Sequence, residues 1–331
     1  MRQRYLHRRV ARALAEVYGA DIESWNGQIA SHFEQAGMAE EAIEFYRRAA
    51  AYEHERYADA EAAELLRRAL ALCRGFSESD RRLKQELDLL VTLGPALVTT
   101  EGYSAPEVGE TYERALDFSR RLDDRNIFAI LSGVWVFHIV RGDLEKARQF
   151  SLEFLRLAEL KPTPGLMQAG NFILGSSLFH LGQLEASLDH MTAALRAHSG
   201  PAESVLALFA GPDIGVFCRS YLAHLAWHRE EGHNADVHAA EAIAAASRMR
   251  HPFSQAIAFN YAAMLHVFRG ESRLALERGG EAVELCRRHG FAYYLAMANV
   301  LTGWARAAEG DVAAGLPTTS RRAGRDAPLA C

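Results

Sequence analysis

The sequence predicts an all-α solenoid of helical hairpins, and three observations carry that expectation. A helix-stopping glycine followed at once by a new apolar helix start recurs along the chain. It stands at Gly142-Asp-Leu-Glu-Lys-Ala, Gly182-Gln-Leu-Glu-Ala, Gly232-His-Asn-Ala-Asp, Gly270-Glu-Ser-Arg-Leu-Ala and Gly310-Asp-Val-Ala-Ala, with looser copies at Gly37 and Gly102. From Gly102 the intervals are 40, 40, 50, 38 and 40 residues, a near-constant period of the kind that marks repeat architectures. Between the glycines apolar residues step by three and four, and no segment sustains the two-residue alternation of a strand.

In order, residues 4 to 18 and Trp25 to Gln35 read as the first two helices, and Ala39 to Arg56 as the third. The next follows Asp59, with Ala62, Leu66, Ala69 and Cys73 on one face, and Gly75 ends it. Arg82 to Thr100 is a long helix in which Gly94-Pro95 predicts a kink or break. Ser104-Ala-Pro-Glu107 reads as a start signal, with Ser as cap, Pro in the first turn and Glu closing a capping box. Asn126 to Arg141 then pairs with Asp143 to Leu160, where Asp143 stands at the cap and Leu144, Ala147, Ser151, Phe154 and Ala158 form a stripe. Leu166 to Leu181 pairs with Leu184 to Ala197. Pro201 and Gly211-Pro212 bracket an irregular stretch over 200–215 that accounts for the single 50-residue interval. Phe217 to Glu230, Asp236 to Arg250, Phe253 to Arg269, Leu274 to Arg288 and Phe291 to Glu309 complete the series. The repeat domain is expected to span 1–316. Residues 317–331 have no stripe and read as a disordered tail, through either a shortened last repeat or a reading-frame change in the gene.

A chain of 331 residues is long for one compact core, but a solenoid escapes that limit because each repeat packs only on its neighbours. With 49% apolar and 24% charged residues the composition is that of an ordinary soluble protein, and a formal charge of −5 argues against a general nucleic-acid binder. The local cluster Arg2, Arg4, Arg8, Arg9 and Arg12 reads as a solvated helix face. Cys73, Cys218, Cys286 and Cys331 show no CxxC spacing, so neither a zinc ribbon nor a disulfide framework is indicated and the cytoplasm is the expected compartment. No signal peptide is read, and the longest mostly apolar run, Ile127 to Val140, is too short to span a bilayer.

Three sequence elements form a familiar order: Arg4-Tyr-Leu-His-Arg-Arg-Val-Ala, then Ile29-Ala-Ser-His-Phe-Glu-Gln-Ala-Gly-Met-Ala-Glu-Glu-Ala, then Gly102-Tyr-Ser-Ala-Pro-Glu-Val. Together they resemble the tetratricopeptide-like C-terminal region of bacterial signal-transduction ATPases of the STAND class, over roughly residues 4 to 315. Such regions occur in large LuxR-type regulators and in class III adenylate/guanylate cyclases that carry an ATPase module. The resemblance implies a right-handed superhelix of about seven or eight tetratricopeptide-like hairpins. It further implies a sensor or scaffold that binds an inducer or a partner and restrains or releases an effector domain. In that family a P-loop ATPase and a winged helix precede the repeats, whereas this chain begins almost where they would end, so no residue here inherits a nucleotide switch.

The residues themselves offer little catalytic chemistry. Gly170-Asn-Phe-Ile-Leu-Gly175-Ser176-Ser177 has Walker A glycine spacing without the lysine and lies inside an apolar helix, so no ATP binding or hydrolysis is expected. Acidic pairs such as Glu40-Glu41 and Asp123-Asp124 fall at helix starts or turns. His224 and His228 share a helix face and His233 and His238 follow, yet the glutamate of a zinc-protease motif is absent, Leu225 standing in its place. Counted back four from each turn glycine stand His138, Leu178, His228, His266 and Arg306, a recurrent slot for a side chain packed between paired helices. Ten or eleven before the turn stand Asn171, Tyr221, Asn260 and Asn299, with Leu131 in the first copy. On the groove side of a first helix such amides hold the backbone of an extended peptide. Accordingly no catalytic residue, metal or cofactor is assigned. The expected partner is a protein, a peptide or a small-molecule inducer bound without catalysis, and not a membrane or nucleic acid. Self-association through the C-terminal repeat is a further expectation. The alternative is that the chain is the regulatory portion of a multidomain ATPase, cyclase or LuxR-type regulator.

Overall fold

In the computed structural model, residues 2–18, 22–56, 58–122, 126–197, 213–313 and 315 are described. Among them stand fifteen α-helices, one short 3₁₀ turn at Ile22–Trp25, and no strand. Packing divides them into two compact units that meet between Phe137 and His138. Pro201, Gly211-Pro212, Asp123-Asp124 and the tail 317–331 lie outside the described residues.

The first unit holds α1 (Arg2–Val17), α2 (Asn26–Ala36), α3 (Ala39–Glu55), α4 (Asp59–Cys73), α5 (Asp80–Glu101), α6 (Pro106–Leu122) and the start of α7 (Ile127–Arg141). From α1 to α6 each helix packs on the next. Two devices fix α4 to α6. Glu86 of α5 is wholly buried, and its carboxylate is gripped by Arg82 at 3.1 Å, by Arg114 of α6 at 2.5 Å and by Arg74 at the end of α4 at 3.5 Å. The Tyr112 ring fills the space that side chains at Gly94 and Gly133 would need, since a Cβ there would meet it at 2.5 and 2.2 Å.

Of the kink or break expected at Gly94-Pro95 the break does not occur, and the helix start expected at residue 104 moves. The helix runs unbroken through Pro95. Proline removes one backbone donor, and the preceding Gly94 has no Cβ to crowd the ring, so the usual conflict before proline is absent. The start signal at residue 104 also shifts, because Pro106 is the first helical residue and leaves Ala105 at the capping position. The two oxygens of Glu107 accept from Arg67 of α4 at 2.8 and 2.7 Å.

The second unit continues with the end of α7, α8 (Leu144–Leu160), α9 (Pro164–His180), α10 (Leu184–Arg196), α11 (Ile214–His228), α12 (Gly232–Met249), α13 (Pro252–Phe268), α14 (Ser272–His289) and α15 (Ala292–Ala308). Its hairpins α9/α10, α11/α12 and α13/α14 stack so that α11 packs on α9 and α13, and α13 packs on α15. The first helix of each pair is buried nearly all round, with Gln168 to Leu178 an unbroken buried run, while the second keeps a solvated face.

Every hairpin turn has one geometry. At Gly142, Gly182, Gly270 and Gly310 the backbone is left-handed, and the next amide reaches back to the carbonyl five residues earlier: Asp143 to His138, Gln183 to Leu178, Glu271 to His266, Asp311 to Arg306. Gly37 in the first unit repeats it. In the α11/α12 hairpin the left-handed residue is Glu230, at φ 63°, and Gly232 is already the first residue of α12. The intervals therefore become 40, 48, 40 and 40 from Gly142, and α12 starts four residues before the expected Asp236. His228 and Tyr221 thereby leave the columns in which the glycine count placed them. The cap expected at Asp143 is also corrected, because its side chain makes no bond to the new helix. The carboxylate instead lies 3.3 Å from Nδ1 of buried His138, as Glu271 lies 2.6 Å from His266.

Removing the buried carboxylate with Glu86→Ala leaves three guanidiniums facing one another. It is expected to cost about 3–5 kcal/mol in urea unfolding at neutral pH.

Candidate functional site

In the second unit α11 lies between two other first helices, and certain of its side chains touch both. The Phe217 ring sits 5.2 Å from Phe172 of α9 and 6.1 Å from Tyr261 of α13. One turn on, Tyr221 sits 5.2 Å from Phe179 and 5.3 Å from Tyr261. A side chain that meets both neighbours marks the inner face of the stacked row. That face is aromatic, edged by partly exposed Phe217, Tyr261 and Phe179 and by exposed His180 and Tyr293.

The Tyr221 hydroxyl ties the face together. Ser176 donates to it at 2.9 Å, Tyr261 donates at 3.2 Å, and His180 Nε2 lies 3.2 Å away. One hydroxyl has two lone pairs and one proton. With both lone pairs used, the proton points at His180, which must then be neutral and hold its own hydrogen on Nδ1. One side of the exposed His180 ring lies against Phe179 and Tyr221, and the desolvation there lowers its pKa, in accord with a neutral ring. Burial also raises the Tyr221 and Tyr261 pKa values, so both hydroxyls keep their protons. The face is polar at its hydroxyls but carries no formal charge there.

The sequence candidates fall in different places. Tyr221 is at the centre of this face. Asn171 is buried, donates to the Met167 carbonyl at 2.8 Å and meets His190 of α10 at 2.9 Å, so it serves its own hairpin. Asn260 is wholly buried and donates to Ala256 at 2.9 Å, leaving its oxygen without a protein partner. Asn299 is partly exposed on α15. The inner aromatics were missed because their contacts join helices about 40 residues apart; their signal was a run of Phe, Tyr and His on first helices that carry almost no charge.

The histidines do not converge. His224 is wholly buried, with Nε2 3.0 Å from the Tyr261 carbonyl, while His228 meets Trp227 edge-on and His233 is exposed. Among the described residues no group of three or more His, Cys, Asp or Glu is placed to hold a metal. No described helix is long and apolar enough to cross a membrane.

No protein-family model matches the chain. It is 27% identical over 314 residues to an uncharacterized protein of Rhizobium meliloti (strain 1021), covering 94% of this chain and 30% of that protein. The chain thus spans about a third of the length of the curated relative it matches. Among solved structures the apo form of the quorum sensor NprR from B. thuringiensis aligns at TM-score 0.61, with 13% identity, over 95% of this chain and 85% of that one. NprR in complex with its cognate peptide NprX aligns at 0.53, with 11% identity, over 94% and 87%. A signal transduction ATPase with numerous domains (STAND), carrying a tetratricopeptide repeat sensor, from Pyrococcus horikoshii aligns at 0.51, with 12% identity, over 96% of this chain and 46% of that one. At these identities the likeness establishes the fold, which is a tetratricopeptide-like stack of helical hairpins.

The buried His224 sets a pH dependence. Burial pulls its folded-state pKa down to about 4, against 6.5 for a free ring. Between those values the unfolded chain binds the extra proton, so stability is complete above about pH 6.5 and falls as pH drops toward 4, by roughly 3 kcal/mol in full. Urea midpoints measured from pH 7 to 4 should decline, and His224→Gln should flatten the decline.

Proposed function

We propose that the chain is a peptide- or protein-binding sensor segment, without catalysis of its own, whose inner face in the second unit holds an extended peptide. The observation that carries this reading is the Tyr221 hydroxyl array, which aligns hydrogen-bonding groups and aromatic faces across α9, α11 and α13 with no formal charge. Such a surface suits an uncharged, apolar-rich segment. Its side chains pack on the rings of Phe217 and Tyr261, and its backbone meets the rim groups His180 and Asn299. Tyr221 organises the face, and Asn171 and Asn260 hold the first helices in place beneath it. NprR, solved with its cognate peptide, has the same fold and supports the reading.

The second reading concerns context. The chain matches 30% of its curated relative and 46% of the STAND protein. These proportions favour a regulatory portion of a longer cytoplasmic bacterial protein, an ATPase, an adenylate/guanylate cyclase or a LuxR-type regulator, in which peptide or small-molecule binding releases an effector.

Peptides selected from a random display library on the full chain test the site. The selected sequences should be poor in charge and should lose at least tenfold in affinity with Tyr261→Ala, while Leu152→Ala, on the exposed face of α8, leaves binding unchanged. Failure to select any peptide, or equal binding by Tyr261→Ala, contradicts the proposal.

A further inference from the structure

The buried carboxylate of the first unit is surrounded by more positive charge than it can balance. Glu86 of α5 meets Arg82 one turn earlier, Arg74 at the end of α4 and Arg114 of α6. Among the described residues these three guanidiniums pair with no other carboxylate. Three guanidiniums against one carboxylate leave two positive charges uncompensated. The Arg82 side chain is only 17% exposed, so water does little to offset its charge. Those of Arg114 and Arg74 are 37% and 52% exposed and reach the surface. Both touch the same oxygen of Glu86, so the two guanidiniums converge. Arg114 is further held over the Phe118 ring at 5.4 Å, which fixes the plane of its fork. A guanidinium has five N–H donors and each of these presents one nitrogen to Glu86, so both keep donors free for a second anion.

We propose that the solvent-facing ends of Arg74 and Arg114 form a binding site for a phosphoryl dianion, separate from the peptide face of the second unit. The surplus of charge matches that of a phosphate monoester, which is close to doubly charged above about pH 6. The planar forks match its oxygens in pairs. A carboxylate ligand balances only half the surplus, and chloride offers the forks no pair of oxygens. Glu86 orients the two arginines from beneath and also limits affinity, because its charge repels the incoming anion. A phosphorylated side chain of a partner and a small phosphate ester present the same dianion to the site.

Calorimetric titration of the full chain with inorganic phosphate, and with a short phosphoserine peptide, tests this at an ionic strength held constant with chloride. Both should saturate, the unphosphorylated peptide should not bind, and Arg74→Gln and Arg114→Gln should each weaken binding about tenfold. Arg48→Gln, on α3 and paired with Glu44, should leave binding unchanged. Glu86→Gln should strengthen it, since the repelling charge goes while the amide keeps the shape; a purely structural ion-pair knot gives no such gain. Should Glu86→Gln or Arg114→Gln fail to fold, the exposed Arg74→Gln decides. Tighter binding by the peptide than by phosphate marks a protein-borne group, and equal or weaker binding a small ester; either upholds the site. No saturable binding by either probe, binding untouched by Arg74→Gln, an equal loss with Arg48→Gln, or a folded Glu86→Gln protein that binds phosphate no better each overturns the proposal.

Discussion

Close approach of the two helices beside the hairpin turns at Gly182, Glu230, Gly270 and Gly310 is the constraint on which the second unit depends. The left-handed turn residue and the amide that reaches back five residues bring the paired helices together five residues after the turn and seven before it. Small residues recur there at five of the turns: Gly175 with Ser187, Ala223 with Ala235, Ala263 with Ala275, Gly303 with Gly315, and Ala30 with Ala42 in the first unit; the Gly142 turn departs from the pattern, with Trp135 and Ala147 at those positions. The contact leaves no room for more. Ser187 donates to the Gly175 carbonyl at 2.7 Å, and a Cβ at Gly315 would lie 2.6 Å from the Gly303 carbonyl. A branched side chain would part the helices at their base, and with them the packing of each first helix on the next.

From that approach follows the difference between first and second helices. A first helix pressed by its partner and by two neighbours has little solvated surface, so it is built almost wholly from uncharged residues, Arg219 of α11 being an exception that pairs with Glu241, and its buried polar groups must find partners inside. Asn171, Ser176 and Tyr221 are such groups. Functional chemistry then gathers where several first helices share one inner face. The first unit reaches stability by other means, a buried carboxylate among three arginines and a tyrosine seated against two glycines. These are specific contacts of single side chains and not a repeated motif.

Much of this was legible in the sequence. Glycine stops and three-four stepping located all fifteen described helices, most ends falling within a few residues. Where the reading slipped, a local rule met a stronger contact. Glu230 takes the left-handed turn that glycine usually takes, so counting from Gly232 displaced one hairpin by two residues and set Tyr221 and His228 in false columns. Asp143 looks like a cap, but the carbonyl and imidazole of His138 take up its amide and carboxylate. Of the three asparagines Asn171 and Asn260 are buried and Asn299 is partly exposed, because periodicity gives a helix face and not what covers it. The aromatic inner face stayed hidden for the same reason, its members lying on three separate helices.

The most direct measurement is amide hydrogen exchange on Ala275→Leu, where the wild-type side chain is wholly buried at the close approach of α13 and α14. The account predicts a large loss of protection in α13 and α14, a smaller loss in the adjoining α11 and α15, and none in α1 to α6, because coupling passes only between neighbours. Unchanged protection in α13 and α14, or an equal loss throughout the chain, would contradict it.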